Sequence, residues 1–410
     1  MSTPARVLSR LDAVGVGVAG LWCAWVILAT VWAGRPVGPA LPYFVPALVA
    51  IGGVALGRRV ARRDDHWGVA ALLLAIGLFF CLGWLITAAP GKLPTKYPNA
   101  NAAVGVQLIA LSSLAWLHQR HRARRGDPPL APPSAPPPPA PSGAGGLRWV
   151  DPLRSRARWL APAALLGALG VVAVNASTAG TAVAGVVLLA CLLAVGSRTG
   201  PWRWLTFIAG GAGLAAAAYA QVTLARQSVW PDAVVAALSR VRKQLWSEAL
   251  GLWARHPVKG GGAGSFRETN QLSVDPDLAR AHSSVLQVGS EFGFVGLAIF
   301  GLFLLVGLLL AWRGDRASAL IAIAAWVGLG VHSTMDHLYE FVAVTLAGTV
   351  VLGWVSAAHR DARGLPANPQ PDGRIPSPEA ATRSPKPTRR GCHPIRSGDT
   401  CRSRSGHPRP

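Results

Sequence analysis

Ten apolar runs, each about 17–23 residues long and nearly free of charge, dominate this chain. They fall at residues 13–34, 41–57, 67–89, 101–118, 159–177, 181–197, 203–222, 293–312, 317–334 and 341–358. As an α-helix, a run of that length spans a hydrocarbon core roughly 30 Å thick. Strands are excluded as spanning elements, because the runs are apolar throughout rather than alternating. Composition agrees: 51% of residues are hydrophobic and 14% charged, against about 25% charged in soluble domains. The expected fold class is therefore all-α, a polytopic membrane helix bundle of about ten transmembrane helices with one long extracytoplasmic loop.

Arginine sets the orientation. Arg58, Arg59, Arg62 and Arg63 follow the second run; Arg120, Arg122, Arg124 and Arg125 follow the fourth. Arg198 and Arg203 flank the loop after the sixth, and Arg313 and Arg316 that after the eighth. All four loops fall on one side, which the positive-inside rule makes cytoplasmic. Both termini are then cytoplasmic, in a cytoplasmic (inner) membrane, and the loop at 223–292 is extracytoplasmic. The first run is too long for a cleaved signal core and reads as a retained signal anchor. Residues 1–125 hold helices one to four, and a Pro-rich cytoplasmic linker follows at 126–147. Residues 148–358 hold helices five to ten, and 359–410 form a basic tail expected to be disordered. The net charge of +22 sits mostly at helix flanks and in that tail. Topology and membrane lipid head groups account for it, and no nucleic acid is expected as a partner. Five cysteines without a CxxC pair give neither a disulfide framework nor a zinc motif.

The most polar long segment, residues 242–294, lies between two apolar blocks. Within 233–255, Leu238, Val241, Leu245, Ala249 and Leu252 recur at spacings of three and four. That periodicity predicts one amphipathic helix, with Trp246 and Trp253 suited to an interface and Arg240, Arg242 and Lys243 off the stripe. Such a helix lies on or near a membrane surface, or simply shows a basic face to solvent. Pro257 stops it. Lys259 then leads into Gly260, Gly261, Gly262 and Gly264, which match neither a Walker motif nor a dinucleotide fingerprint. Glycines that let the loop pass close to helices or to a phosphate are enough. Arg280, His282, Ser283 and Ser284 stand just before the eighth run, where a histidine is either a general base or a structural cap. Asp336 and His337, at the outer end of the ninth run, are costly at that depth. They read as functional, or as an Asp–His pair that ties the bundle. In the second outer loop, Lys92, Lys96, Asn99 and Asn101 face a sugar or phosphate, unless Asn101 only N-caps the next helix. No histidine or carboxylate cluster stands at metal-ligand spacing, so no metal and no other cofactor is expected.

The pattern Arg242-x-x-x-Trp246, His256-Pro257-Val258-x-Gly260-x-Gly262-x-Gly264-x-Phe266, Ala281-His282 and Glu291-Phe292-Gly293-Phe294-Val295-Gly296-Leu297 resembles the O-antigen ligase and O-antigen polymerase superfamily. Tyr97-Pro98-Asn99-x-Asn101-Ala102 resembles that family's first extracytoplasmic signature. The resemblance implies a metal-independent inverting glycosyltransferase. Its donor is a lipid-linked oligosaccharide on undecaprenyl diphosphate, and its acceptor a hydroxyl of a glycan or lipid outside the cytoplasmic membrane. Arg242 matches the family's loop arginine, which holds the diphosphate, and His282 its histidine, which takes the acceptor proton. Arg280 is a local addition. Two departures stand out: Ser283 replaces the usual Asn, and Thr178-Ala179-Gly180 replaces Ser-Arg-Gly at the mouth of a middle helix, so Lys92 or Lys96 would have to supply the second cation. A related cell-wall precursor polymerase, relying on an Asp in the long loop, and a non-catalytic or transport protein of the same fold remain as alternatives.

Overall fold

A computed structural model describes residues 10–62, 66–87, 97–125, 159–196 and 202–362. The Pro-rich linker, the tail beyond Ala362, and Lys92 and Lys96 lie outside these residues. Helices and no strands make up the regular structure of the described residues. Every apolar run becomes a helix: α1 (Arg10–Trp32), α2 (Leu41–Ala61), α3 (His66–Thr87), α4 (Pro98–Arg125), α5 (Leu160–Val174), α6 (Thr178–Gly196) and α7 (Trp202–Ala225). The long loop carries α8 (Asp232–Leu238), α9 (Arg240–Arg255) and α10 (Ser265–Thr269). The bundle resumes with α11 (Ser284–Trp312), α12 (Arg316–Thr334) and α13 (Val342–Ala362). By length and composition α1, α2, α4, α7, α11 and α12 can each cross a membrane, and α3, α5, α6 and α13 contribute shorter apolar stretches. The molecule is an all-α membrane bundle.

The central helix is α4, 94% of whose apolar stretch is buried, against α3, α5, α6, α12 and α13. In lipid there is no hydrophobic drive between apolar helices, so contact depends on close packing of small residues. The pair α2 and α13 shows this. A Cβ on Gly57 would stand 2.2 Å from the Val350 carbonyl oxygen, and one on Gly353 2.2 Å from that of Val54. At the same end of the bundle Arg58 bonds Asp12 of α1 and, at 2.9 Å, the Ser356 hydroxyl of α13.

Two boundaries differ from the sequence expectation. The single helix expected over 233–255 is broken at Ser239, whose φ is +73° and whose hydroxyl accepts from the Arg242 N–H at 3.4 Å. Serine competes for backbone groups in this way and starts a new helix. The stripe of α9 is covered by protein: Leu245, Trp246, Ala249, Leu252 and Trp253 are buried, and they pack with Trp230, Phe266 and Leu286. The eighth helix begins at Ser284, not near 293, and is interrupted at Gly293 (φ +66°, ψ −164°). Its first segment, Ser284 to Phe292, is buried at every residue, including Gln287, Ser290 and Glu291.

The glycine loop exists to complete that break. Interrupting a helix frees carbonyls on one side and N–H groups on the other, and each must find a partner at membrane depth. The Gly261 N–H donates to Ser290 O at 2.9 Å and the Gly262 N–H to Glu291 O at 2.8 Å. Trp25 Nε1 donates to Phe292 O at 3.0 Å. Beyond the break, Phe294 N–H reaches Pro257 O at 2.8 Å and Val295 N–H reaches Val258 O at 3.3 Å. Backbone passes so near that a Cβ on Gly260 (φ +73°) would lie 2.2 Å from the Glu291 carbonyl carbon. Of the two uses read for these glycines, close approach to helices is the one the fold displays.

Candidate active site

The loop and helix ends converge on His282. Its backbone sits at φ +46°, in the left-handed region that costs a non-glycine residue about 1–3 kcal/mol. Ser283, fully buried, then caps α11 by accepting from the Leu286 N–H at 3.1 Å. Asparagine caps helices equally well, so the departure at Ser283 keeps the local structure. Nδ1 of His282 faces Asp336 Oδ1 at 3.2 Å, and Nε2 faces the Asp277 carbonyl at 2.8 Å. Both neighbours only accept, which favours the doubly protonated ring. Burial opposes the charge, but the Asp336 carboxylate and the Asp277 carbonyl outweigh it, and the His282 pKa is raised above its ordinary value.

The spacing Arg242-x-x-x-Trp246 puts both side chains on one face of α9. Trp246 Nε1 donates to the His282 carbonyl at 3.4 Å, so α9 holds the backbone of the histidine. Arg242 is half-buried, and its charge reaches His282, where it opposes protonation. One guanidinium N–H goes to Leu238 O at 3.4 Å, and among the described residues Arg242 forms no ion pair.

Asp336 is 3% exposed and lies just past the end of α12. Burial alone would raise its pKa, yet His282 and His337 hold it well below the usual carboxylate range. Its second oxygen accepts from Asn99 Nδ2 at 2.8 Å. Asn99 Oδ1 accepts in turn from the Ser177 hydroxyl at 2.8 Å, and Ser177 Oγ accepts from the Gly180 N–H at 3.0 Å. The mouth of α6, at Thr178-Ala179-Gly180, thus braces Asp336 through Ser177 and Asn99. Tyr97 adds a bond from its hydroxyl to Asp277 Oδ1 at 3.0 Å; burial and that carboxylate push its pKa up to about 12.

The other expected residues separate from this group. Asn101 is fully buried inside α4, which begins at Pro98, and donates to Asn175 Oδ1 at 3.2 Å. It does not cap the helix, whose first position is taken by Pro98, a residue favoured there. Arg280 is engaged by Glu340 at 3.1 Å and by the Tyr43 hydroxyl at 2.9 Å, with its guanidinium over the Tyr43 ring. Tyr43 also donates to Glu291 Oε2 at 2.5 Å, and Glu291 Oε1 accepts from the Phe266 N–H at 3.3 Å. This buried network joins α2, α11 and the glycine loop, and Arg280 belongs to it. Lys259 stands over the Trp32 ring and donates to Trp32 O at 3.2 Å.

A cluster at ligand distance does exist, contrary to the sequence expectation. His282, Asp336 and His337 bring one ligand atom each within 4.8 Å of one another. Residue spacing hides it because His282 is 54 positions from Asp336. Beside the site, an apolar cavity of about 70 Å³ is lined by Trp22, Pro46, Ile299 and Phe300, with Ser284 and Gln287 also on its wall. Ser284 bonds the Asp336 carbonyl through its N–H at 3.1 Å, so the cavity and the His282 group share a wall.

A search among curated proteins finds no match. Residues 155–301, which run into the middle of α11 and include Arg242 and His282, match the O-antigen ligase family model.

Proposed function

We propose that this chain is a metal-independent, inverting membrane glycosyltransferase of ligase or polymerase type. It moves a glycan from an undecaprenyl diphosphate carrier onto an acceptor hydroxyl at the outer face of the cytoplasmic membrane, with both termini inside. The observation that carries the reading is an arginine without an acidic partner, Arg242, beside a histidine braced by a buried carboxylate, His282 on Asp336. A departing lipid diphosphate needs a guanidinium to hold its growing charge. The acceptor oxygen attacks the anomeric carbon, the carbon–oxygen bond to the diphosphate breaks with its electron pair, and the acceptor proton passes to His282. Asp336 keeps Nδ1 protonated and leaves Nε2 as the base. Nε2 must first exchange the Asp277 carbonyl for the acceptor hydroxyl, and that carbonyl sits on the short, exposed turn Pro276–Leu278. The apolar lining of the cavity suits contact with part of a prenyl chain next to this site.

The test is donor binding and single-turnover transfer by purified protein in EDTA. Arg242→Ala should weaken binding and slow transfer together, since the guanidinium meets the diphosphate before and during bond breaking. Arg242→Lys should recover only part of each, because the bidentate geometry is lost. Wild-type binding by Arg242→Ala, or transfer that needs added Mg²⁺ or Mn²⁺, contradicts the reading.

A further inference from the structure

The group around Asp336 leaves one buried nitrogen unsatisfied. His337 is 5% exposed, and its Nδ1 makes no hydrogen bond although it stands 2.8 Å from Asp336 Oδ1. That nitrogen therefore lies off the line a hydrogen bond needs. The same oxygen already accepts from the His337 backbone N–H at 2.8 Å. On the other side, the Asp277 carbonyl requires a hydrogen on Nε2 of His282, so a neutral His282 ring turns its Nδ1 lone pair toward the carboxylate. A single proton placed on His282 Nδ1 answers one of these nitrogens and leaves His337 unanswered. A divalent cation among the three atoms would answer all of them.

We infer that His282, Asp336 and His337 form an inhibitory transition-metal site, selective for Zn²⁺-like ions, whose filling excludes the acceptor-activating state of His282. Two imidazole nitrogens and one carboxylate oxygen suit Zn²⁺ or Co²⁺ and disfavour Mg²⁺ and Ca²⁺. The outer contacts of such a site are in place. Nε2 of His282 donates to a backbone carbonyl, as metal-bound imidazoles commonly do, and Asp336 Oδ2 is fixed by Asn99. The 2.8 and 3.2 Å separations from Asp336 Oδ1 are within the roughly 3.4 Å edge of a zinc tetrahedron, and the three ligand atoms lie within 4.8 Å of one another, so rotation of the two rings brings them onto one ion. On binding, Zn²⁺ takes the place of the proton on His282 Nδ1, which goes to solvent. The nitrogen that Asp336 braces is then bound to metal, and the ring no longer cycles a proton.

The inhibition rests on the proposed transfer reaction; the binding does not, and the experiment separates them. Full-length protein in detergent is stripped with EDTA, exchanged into clean buffer and titrated with Co²⁺ or Zn²⁺ alone. The expected result is one ion per chain, a visible Co²⁺ spectrum of tetrahedral type that Zn²⁺ bleaches, and transfer that stops at one equivalent of Zn²⁺ and returns with EDTA. His337→Phe retains the backbone N–H to Asp336 and the ring contacts with Tyr97 and Phe341. It should bind zinc about tenfold or more weakly than wild type. Absence of the Co²⁺ spectrum in wild type, an unchanged zinc affinity in His337→Phe, or full transfer by the zinc-loaded protein would each overturn the proposal. The spectrum and stoichiometry decide the site even in a preparation that transfers nothing.

Discussion

Replacing Asp336 with asparagine keeps its shape and removes its charge, and the donors that Asn99, the His337 backbone and His282 turn toward it are arranged against the change. Ser177 spends its oxygen on the Gly180 N–H, so its own hydrogen goes to Asn99 Oδ1. That fixes the Asn99 amide with Nδ2 pointing at Asp336 Oδ2. The other oxygen faces the His337 N–H at 2.8 Å and His282 Nδ1 at 3.2 Å. An amide at 336 offers one acceptor where donors stand on both sides, so its NH₂ opposes a donor in either orientation. A mismatch of this kind in a buried site costs about 1–3 kcal/mol of stability. Transfer should slow by roughly 10²–10⁴-fold, the usual share of a positioned general base, which is about 2.7–5.4 kcal/mol of barrier. The pH profile gives the sharper reading. His282 titrates above its ordinary value because of Asp336, and transfer needs its neutral form, so the wild-type rate should rise as pH passes through that raised value. Without the carboxylate the acidic limb should move to lower pH. The folded state should respond oppositely in wild type. Stability from the protonated His282 is fully present below the ordinary pKa of 6.5 and is lost as pH rises through the raised one. The assay is single-turnover transfer against pH, paired with thermal unfolding in detergent. If Asp336→Asn is destabilised but keeps the wild-type rate and acidic limb, Asp336 only ties helices together and the coupling to His282 is refuted.

Two further outcomes follow from the fold and its orientation. Gly260→Val should lose most folded yield in detergent, because its Cβ would stand 2.2 Å from backbone of α11 at a φ of +73°; Gly52→Ala, with nothing within 4 Å, serves as the neutral control. A reporter fused after Pro257 should score outside the cytoplasm and one near Ser134 inside it, and equal scores would mean an odd error in the number of crossings between them.

The bundle was legible because length and continuous apolarity are local properties, and each of the ten runs found its helix. The start of α11 was not. SVLQVGSEF carries Gln287, Ser290 and Glu291 and reads as loop, yet it is buried, because the glycine loop and Tyr43 supply partners that no sequence window contains. The break at Ser239 gave no warning either, since neither glycine nor proline marks it. At the site, Arg242 and Trp246 could be placed on one face by spacing alone. The histidine and its carboxylate, 54 residues apart, could not be joined. The sequence marks Asn99 for a polar role, but its orientation depends on Ser177, a residue with no signal of its own. The cost of an ionisable group at a helix end was the cue that found Asp336 and His337.

The claim at the centre is that His282 takes the acceptor proton, and removing its imidazole tests it most directly. Donor binding and single-turnover transfer would be measured for wild type, His282→Ala and His282→Asn, the last because asparagine tolerates the positive φ of this position. Both variants should bind the lipid-linked donor nearly as wild type does and transfer roughly 10²–10⁴-fold more slowly, without the wild-type acidic limb. Transfer at the wild-type rate by either variant would make the histidine a structural element of the turn before α11 and would favour a non-catalytic protein of the same fold.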